Sequence, residues 1–479
     1  MLHISTRGDA PAIGFADALL TGLARDGGLY LPRVWPKLSR QEIAGFAGRP
    51  YTAVAEGIVG ALAGKGFSQR RLREAVRDAY DAFRHPAVCP LVQIGDNVFV
   101  LELFHGPTLA FKDVAMRLIA SLMDAALAER KERVTIVGAT SGDTGSAAID
   151  AFAGSERADV FILYPHNRIS EVQRRQMTTP DAPNVHAVAI EGTFDDCQAL
   201  VKAMFNDHVF RDRLCLSGVN SINWARIAAQ VVYYFTSAVS LGAPARAVSF
   251  AVPTGNFGNV LAGYVAKRMG LPVARLAIAT NDNDILARAL KGGRYLKKGV
   301  VATASPSMDI EVSSNFERLL FEANGRDASV VRAAMASLAK EGGFTIAPSA
   351  LKRIRADFDG YRTGGKEAVT TMREVWEEAG YLLDPHGAVA VNAAKRALAR
   401  DPATPLIALA TAHPAKFPEA VAAATGLRPQ LLPHIARIMG RQERVSLLPN
   451  DLRTVEEFVV RHARVPPFSS SAKAFARTK

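Results

Sequence analysis

From about residue 96 onward, short apolar or β-branched runs alternate with amphipathic helical patterns. VTIVGAT at 134–140 precedes a helical pattern that starts at about Thr144, and AVSFAVPTG at 247–255 precedes NFGNVLAGYVAKRMG. Further predicted strands lie at 159–165, 185–191, 273–280 and 405–412. Repeated strand–helix units favour a parallel sheet with helices on both faces, because each parallel connection needs a crossover that a helix can supply. The predicted fold class is therefore α/β with parallel strands flanked by helices.

The same patterns divide the chain into three predicted domains. Residues 1–95 are predicted to form a mostly helical N-terminal domain, because helical patterns such as QRRLREAVRDAYDAFRH are separated there by Gly- and Pro-rich stretches. Residues 96–430 are predicted to form the α/β core, in two subdomains, and residues 431–479 a C-terminal helical segment. A chain of 479 residues is long enough for about two to three domains of this kind.

Composition and charge exclude several classes of protein. The net charge of +12 is spread along the chain. Basic residues cluster only modestly, as in Gln69–Arg73 and in the tail SSSAKAFARTK at 469–479. Because no nucleic-acid-binding signature accompanies it, we expect no nucleic acid as a partner. No apolar run is long enough to span a bilayer, and the first residues lack the layout of a secretion signal. The three cysteines, Cys89, Cys197 and Cys215, show no metal-binding spacing and suit a reducing cytoplasm.

Three loops that follow predicted strands are candidate ligand sites, since ligands of parallel sheets bind at the carboxyl ends of strands. The loops at 138–147 (GATSGDTGSA) and 253–259 (PTGNFGN) combine glycines with small polar residues just before a helix. Backbone amides and the helix dipole make such a turn an anion site, although an ordinary capped helix start would use the same residues. The third loop, LATAHPAKF at 409–417, indicates by itself only a strand end with a turn at Pro414.

The stretch NSINWARIAAQ at 220–230 spaces three polar residues, Asn220, Asn223 and Arg226, at intervals of three. If the helix already includes all of them, they share one helical face. Arginine is the natural partner for a phosphate oxyanion, so this face is a candidate phosphate grip. The alternative is a solvated helix face with a capping residue.

Lys112 stands where an apolar helical pattern begins, within FHGPTLAFKDVAMRL at 104–118. The dipole at a helix N-terminus disfavours positive charge, so this lysine is either solvated or not a free ammonium. A lysine near a phosphate cup can form a Schiff base with an aldehyde cofactor such as pyridoxal phosphate. That cofactor also needs a phosphate cup and a partner for its ring nitrogen, and the loops after the strands offer a candidate for each.

Five motifs in a fixed order carry a family resemblance: HGPTLAFKD, ATSGDTGSA, NSINWARIAAQ, PTGNFGN and ATAHPAKF. In this order they resemble the threonine synthase family, and in particular its longer microbial and fungal type with an extra N-terminal domain. The N-terminal stretches STRG and LLTGLARDGGLYLP fit that type as well. The resemblance spans residues 5–417 and implies the α/β fold of the fold-type II pyridoxal phosphate enzymes, which is similar to the tryptophan synthase β fold.

The resemblance also implies roles for single residues. Lys112 would hold pyridoxal 5'-phosphate as an internal aldimine and, once freed, would act as the catalytic base. Thr411 would face the pyridine nitrogen with its hydroxyl group, and Asp143 would lie at the cofactor. The phosphate cup would consist of Gly255, Asn256, Phe257, Gly258 and Asn259. The substrate would be bound by Ser141, Thr144, Asn220 and Arg226, the last two on its phosphate.

The implied substrate is O-phospho-L-homoserine, which is converted with water into L-threonine and phosphate in the last step of threonine biosynthesis. The implied route is a β,γ-elimination followed by addition of water. The motifs leave open a phospho-lyase that releases 2-oxobutyrate from the same substrate, a hydroxy-amino-acid dehydratase of the same fold, and a non-catalytic binding protein. Asn220 with Arg226 disfavours the dehydratase, and Lys112 disfavours the binding protein. We expect a cytoplasmic monomer or weak homodimer with no membrane partner.

Overall fold

A computed structural model describes residues 1–464, so the basic tail at 469–479 lies outside the described residues. The chain forms two compact units. The first unit, called here the lysine unit, comprises Met1–Leu118 and Ser221–Leu431. The second, called the crossover unit, comprises Ile119–Asn220 and, among the described residues, 432–464. Both units contain a parallel sheet, which confirms the predicted fold class.

The strands are β1 (Leu2–Ser5), β2 (Ile13–Gly14), β3 (Tyr30–Pro32), β4 (Leu91–Gly95), β5 (Val98–Glu102), β6 (Val134–Ala139), β7 (Ala158–Pro165), β8 (Val185–Glu191), β9 (Leu216–Ser217), β10 (Val248–Pro253), β11 (Val273–Thr280), β12 (Arg294–Leu296), β13 (Gly343–Thr345), β14 (Phe358–Arg362), β15 (Leu406–Ala410) and β16 (Ser446–Pro449).

The helices are α1 (Phe15–Thr21), α2 (Arg40–Ala44), α3 (Tyr51–Ala63), α4 (Gln69–Tyr80), α5 (Lys112–Arg130), α6 (Asp143–Phe152), α7 (Glu171–Thr178), α8 (Phe194–Asn206), α9 (His208–Leu214), α10 (Trp224–Ser240), α11 (Gly258–Met269), α12 (Ile285–Gly292), α13 (Phe316–Ala323), α14 (Ala328–Glu341), α15 (Pro348–Asp357), α16 (Gly365–Ala379), α17 (Pro385–Leu398), α18 (Pro418–Thr425), α19 (Pro433–Ile438) and α20 (Leu452–His462).

The lysine unit is built on a six-stranded sheet in the order β14-β11-β10-β15-β5-β4. Its strands pair in parallel except for β4, which pairs antiparallel with β5. The two central strands, β10 and β15, end just before the predicted ligand loops at 253–259 and 409–417. Helices α16 and α17 cover the sheet, and Met372, Val375, Val389 and Val391 from these helices are buried in its core. Burial of such side chains is the main source of stability for a layer of this kind.

The crossover unit has a five-stranded, fully parallel sheet in the order β16-β8-β7-β6-β9. All eight residues of the central strand β7, ADVFILYP, are buried, as expected for a strand with helices on both faces. Met204 of α8 and Val455 of α20 pack into its core beside Val188 and Ile190 of β8. Strand β6 of this sheet ends at the predicted ligand loop at 138–147, which connects β6 to α6.

The residues outside the α/β core contain two features that periodicity does not predict. Residues 1–95 hold helices α1–α4, but they also form a small antiparallel sheet in the order β2-β1-β3. The C-terminal segment contains the edge strand β16 besides its helices. These strands are two to four residues long, which is too short for an alternating pattern to stand out. The two domain boundaries named above, after residues 95 and 430, stay predictions. No helix within residues 1–464 is long and apolar enough to cross a membrane.

Candidate active site

Lys112 is the first residue of α5, and backbone hydrogen bonds hold it beside Thr411. The chain before α5 runs along the end of β15: Leu103 N–H donates to the Ala410 carbonyl at 3.0 Å, and Phe111 N–H donates to the Thr411 carbonyl at 2.8 Å. Ala110 and Ala412 form an antiparallel bridge. The residue proposed to hold the cofactor therefore directly follows Phe111, whose N–H is bonded to the residue proposed to face the cofactor ring. The lysine unit contains both.

Asp113, in the first turn of α5, anchors the helix start to the loop that precedes it. Its buried carboxylate accepts hydrogen bonds from Thr108 N–H at 2.8 Å and from the Thr108 hydroxyl at 2.6 Å. A carboxylate in the first turn of a helix is favoured by the helix dipole. A Cβ at Gly106 would lie 2.5 Å from the Asp113 Cβ, so only glycine fits there. The HGPTLAFKD motif thus builds the loop as well as supplying the lysine.

Lys112 is half-buried, and its ammonium group lies beside Ser307 and the Phe111 ring. Its Nζ donates to the Ser307 hydroxyl at 3.4 Å and lies 5.7 Å from the centroid of the Phe111 ring. Ser307 was not among the residues predicted from the sequence. It lies in the stretch ASPSMDI at 304–310, which follows no strand and carries no glycine-rich turn, so no motif pointed to it.

The predicted phosphate cup lies between β10 and α11, as expected. Phe257, which precedes α11, has a φ angle of 65°, an uncommon conformation for a residue with a side chain. A Cβ at Gly255 would lie 2.9 Å from the Ser307 carbonyl oxygen and 2.8 Å from Ile310 Cδ1. Asn315 fixes the other side of the loop, because its backbone N–H and its Nδ2 both donate to the Asn256 carbonyl, at 3.1 and 3.0 Å. These contacts fix the loop at 253–259 at the point where its backbone amides begin α11.

Asn259, in the first turn of α11, carries a donor suited to an anion. Its Oδ1 accepts hydrogen bonds from the hydroxyl groups of Tyr233 and Tyr234 at 2.6 and 3.0 Å. These bonds fix the amide so that Nδ2 is the remaining polar atom, and Nδ2 is buried with no hydrogen-bond partner among residues 1–464. The first backbone N–H groups of a helix also have no partner within it. A phosphate group at this helix start would satisfy both kinds of donor, so these residues fit the phosphate of pyridoxal phosphate.

Arg226 is buried in the first turn of α10, with only 3% of its surface exposed. Burial lowers the pKa of its guanidinium to about 10, and Tyr233 opposes that shift. A bound oxyanion stabilises a desolvated guanidinium strongly, because hydrogen bonds to the oxyanion replace the hydration that the cation lost on burial. This favours Arg226 as an anion-binding residue.

The shared helical face of Asn220, Asn223 and Arg226 does not form. Helix α10 begins at Trp224, so Asn220 precedes the helix, where it is the last residue of the crossover unit. Asn223 caps the helix: its side-chain oxygen accepts from Ala225 N–H at 3.0 Å, and its Nδ2 donates to the Leu19 carbonyl at 2.9 Å. Asn and Asp at this position compete with the helix backbone, which is why the helix starts after Asn223. The role of Asn220 stays a prediction.

The loop between β6 and α6 in the crossover unit is organised by Thr140. Its hydroxyl accepts from Gly142 N–H and Gly145 N–H, both at 2.9 Å. Asp143 is buried, and its Oδ1 accepts a hydrogen bond from Gln173 Nε2 at 2.9 Å, which ties this loop to α7. Ser141 is exposed and Thr144 is half-buried. The loop is therefore a well-ordered helix start, and the cofactor and substrate roles of these residues stay predictions.

Matches to known families cover nearly the whole chain. Residues 2–80 match the family described as threonine synthase N terminus, and residues 387–459 match threonine synthase, C-terminal. Residues 89–410 match the family described as pyridoxal-phosphate dependent enzyme. That match spans the strands and loops that carry Lys112, the phosphate cup and the loop between β6 and α6.

Individual relatives match along the full length. The chain is 50% identical over 463 residues to threonine synthase of Pseudomonas aeruginosa, which covers 96% of this chain and 98% of that one. Among solved structures, PLP-bound threonine synthase from Brucella melitensis matches with a TM-score of 0.94 at 58% identity, covering 97% of this chain and all of that one. Threonine synthase from yeast matches with a TM-score of 0.90 at 38% identity, covering 96% and 98%.

Proposed function

This chain belongs to the threonine synthase family of pyridoxal phosphate-dependent lyases, and on that premise we propose how its residues convert O-phospho-L-homoserine and water into L-threonine and phosphate. The observation that carries the proposal is the placement of Lys112. Its Nζ contacts Ser307, whose carbonyl borders Gly255 of the phosphate cup, and its backbone neighbour Phe111 is bonded to Thr411. The lysine unit thus brings together a nucleophilic amine, an anion-binding helix start and a hydroxyl at a strand end.

The cofactor, bound through Lys112, supplies an electron sink for the negative charge that develops when the substrate loses a proton. The cup amides and Asn259 Nδ2 hold its phosphate at the start of α11. The amine of Lys112 removes the proton from the substrate's Cα and later returns a proton. Ser307, which accepts a hydrogen bond from Nζ, keeps that amine near the cup.

Arg226 binds the phosphate group of the substrate, which leaves from Cγ before water adds at Cβ. A buried guanidinium suits this task because its planar fork matches phosphate oxygens and because few waters compete with them. For Ser141, Thr144 and Asn220 we retain the roles in substrate binding that the motifs imply, and for Asp143 the position at the cofactor. The monomer or weak homodimer stays a prediction, and so does the cytoplasmic location, which the three free cysteines support.

Product analysis tests this function directly. The purified protein, loaded with pyridoxal phosphate, is incubated with O-phospho-L-homoserine, and phosphate, threonine and 2-oxobutyrate are counted together. We expect one threonine for each phosphate released, because water addition completes the reaction. Phosphate matched by 2-oxobutyrate would instead identify the phospho-lyase. If the loaded protein releases no phosphate, the proposed role of Arg226 is contradicted. The dehydratase and the non-catalytic binding protein would then be the remaining alternatives.

Thr411→Ala is expected to change the ratio of threonine to 2-oxobutyrate and to shift the absorbance of the bound cofactor. The reason is that a neutral hydroxyl facing the ring nitrogen sets how strongly the ring withdraws electrons. Thr411→Ser keeps the hydroxyl group and serves as the matched control. If the alanine variant has the same ratio and the same spectrum as the serine variant, the role of Thr411 is limited to the backbone bond with Phe111.

A further inference from the structure

The segment Ser305–Ile310 borders both the reactive lysine and the phosphate cup. The Ser307 hydroxyl accepts a hydrogen bond from Lys112 Nζ at 3.4 Å. The carbonyl oxygen of the same residue and the Ile310 side chain leave no room for a Cβ at Gly255. A displacement of this segment would therefore change the surroundings of both Lys112 and Gly255. The contacts that fix the segment thus help to position Lys112.

Asp309 holds one end of the segment. Its Oδ1 accepts hydrogen bonds from Asn281 Nδ2 at 2.7 Å, Asn283 Nδ2 at 2.9 Å and the Thr303 hydroxyl at 2.7 Å. Its Oδ2 accepts from Thr303 N–H at 2.8 Å. Several charge-assisted bonds to one carboxylate fix the segment to the end of β11.

His386 and Asp384 hold the segment at Ser307 itself. Ser307 N–H donates to His386 Nε2 at 3.3 Å, and His386 Nδ1 lies 2.6 Å from Asp384 Oδ2. Both side chains are buried at the start of α17. A backbone N–H is only a donor, so Nε2 must accept, and the ring proton must therefore be on Nδ1, from which it is donated to Asp384. The carboxylate selects the one neutral form of the imidazole that can bind Ser307.

Both oxygens of Asp384 are engaged as acceptors. Oδ1 accepts from Gly387 N–H at 2.8 Å, and Oδ2 accepts from His386 N–H at 3.1 Å as well as from the ring. An amide in place of the carboxylate would face at least one of these donors with its own NH₂ group. Asp384→Asn would thus break either the cap of α17 or the imidazole form that Ser307 requires, with almost no change in volume.

We propose that Ser307 is a further active-site residue, which holds Lys112 Nζ through its hydroxyl, and that Asp384 and His386 are positioning residues that act through the Ser307 backbone. A hydroxyl group accepts a hydrogen bond from an ammonium and donates one to a neutral amine. Ser307 therefore keeps Lys112 in place in both protonation states that proton transfer requires. This inference rests on the proposed role of Lys112 and adds the groups that orient it.

The rate at which the cofactor-free full-length protein captures added pyridoxal 5'-phosphate measures how well Lys112 is positioned, without involving the substrate. We expect Ser307→Ala to slow capture about tenfold, because one hydrogen bond to the reacting amine is lost. Ser307→Thr, which keeps the hydroxyl, should recover most of the rate. Ser329→Ala is the matched control, since Ser329 is exposed and its hydroxyl is bonded to Asp327, outside this segment. Equal capture rates for Ser307→Ala and Ser329→Ala would overturn the role of Ser307.

A second series tests the positioning pair. His386→Phe removes the acceptor of Ser307 N–H, whereas His386→Gln can retain an acceptor; Asp384→Asn keeps the imidazole but disfavours its binding form. We expect His386→Phe and Asp384→Asn to increase hydrogen exchange of the Ser307 amide, measured by mass spectrometry, and to slow capture about tenfold, with His386→Gln in between. Variants that have a lower melting temperature but unchanged exchange at Ser307 and unchanged capture would reduce the pair to a structural role.

Wild-type protein that captures no cofactor at Lys112 would overturn this inference and the role of Lys112 together. Capture at Lys112 without turnover of O-phospho-L-homoserine would overturn the proposed reaction alone.

Discussion

Lys112→Ala is expected to abolish the visible absorbance of bound cofactor and to lower turnover of O-phospho-L-homoserine by about 10,000-fold or more. The variant lacks the amine that attaches the cofactor and also the base that moves the Cα proton, and these two contributions act in the same step. The measurement is an absorbance spectrum of the purified variant after incubation with pyridoxal phosphate, followed by the phosphate assay.

Two controls separate this loss from unfolding and from loss of charge. Lys112→Arg keeps the positive charge near Ser307 and Phe111 but cannot form the bond to the cofactor, so it should be as inactive as the alanine variant. Lys366→Ala removes an exposed lysine from the first turn of α16 and should leave both absorbance and turnover unchanged. An alanine variant at position 112 that still binds the cofactor covalently and turns over would remove Lys112 from the mechanism.

Arg226→Met is expected to lower kcat/KM for O-phospho-L-homoserine by roughly 30- to 5,000-fold, mainly through KM, with cofactor binding little changed. The estimate follows from the loss of one buried, charge-assisted contact to a phosphate, which is worth roughly 2–5 kcal/mol. Methionine fills the buried volume without a charge, so the variant should fold. Steady-state kinetics and a cofactor titration on the same preparation make the measurement.

Arg226→Lys is the matched variant, since it keeps a cation but loses the planar fork, and its kcat/KM should fall between those of wild type and Arg226→Met. Whether cofactor binding or substrate affinity is lost first decides which phosphate group Arg226 binds. If Arg226→Met loses the cofactor before it loses affinity for the substrate, Arg226 belongs to the cofactor's phosphate site. Equal effects on a substrate without a phosphate, together with unchanged cofactor binding, would remove it from both sites.

The elements that form the two parallel sheets could be predicted from the sequence. Strands β8 and β11 lie at the predicted positions 185–191 and 273–280, and the loop predicted as a phosphate cup lies between a strand and a helix as expected. Periodicity and runs of β-branched residues report which backbone conformation and which burial a stretch favours, and both are local properties. The same local information failed for β16 and for the strands of the small N-terminal sheet, which become strands only by pairing.

The candidate site was predictable wherever one short stretch carries the chemistry. Lys112 before an apolar helix and the glycines of PTGNFGN could be recognised because a helix start and a tight turn need particular residues at particular spacings. The expectation for Asn220 and Asn223 failed because the exact start of a helix depends on capping, and Asn223 caps α10. Whole-length relatives then supported the family that the motifs had indicated.

By itself, therefore, the sequence determined the α/β class, most of the strand and helix positions, and the motif residues led by Lys112. Only the tertiary structure brought Ser307 to Lys112 across 195 residues, and His386 to Ser307 across 79. It also decided that the Asp113 carboxylate binds Thr108 and that Asn259 Nδ2 is buried without a hydrogen-bond partner among residues 1–464. The physical reason is the range of the interactions involved. Periodicity and capping act within a few residues, whereas the partners of a buried polar group are chosen by the packing of distant segments, which no local pattern encodes.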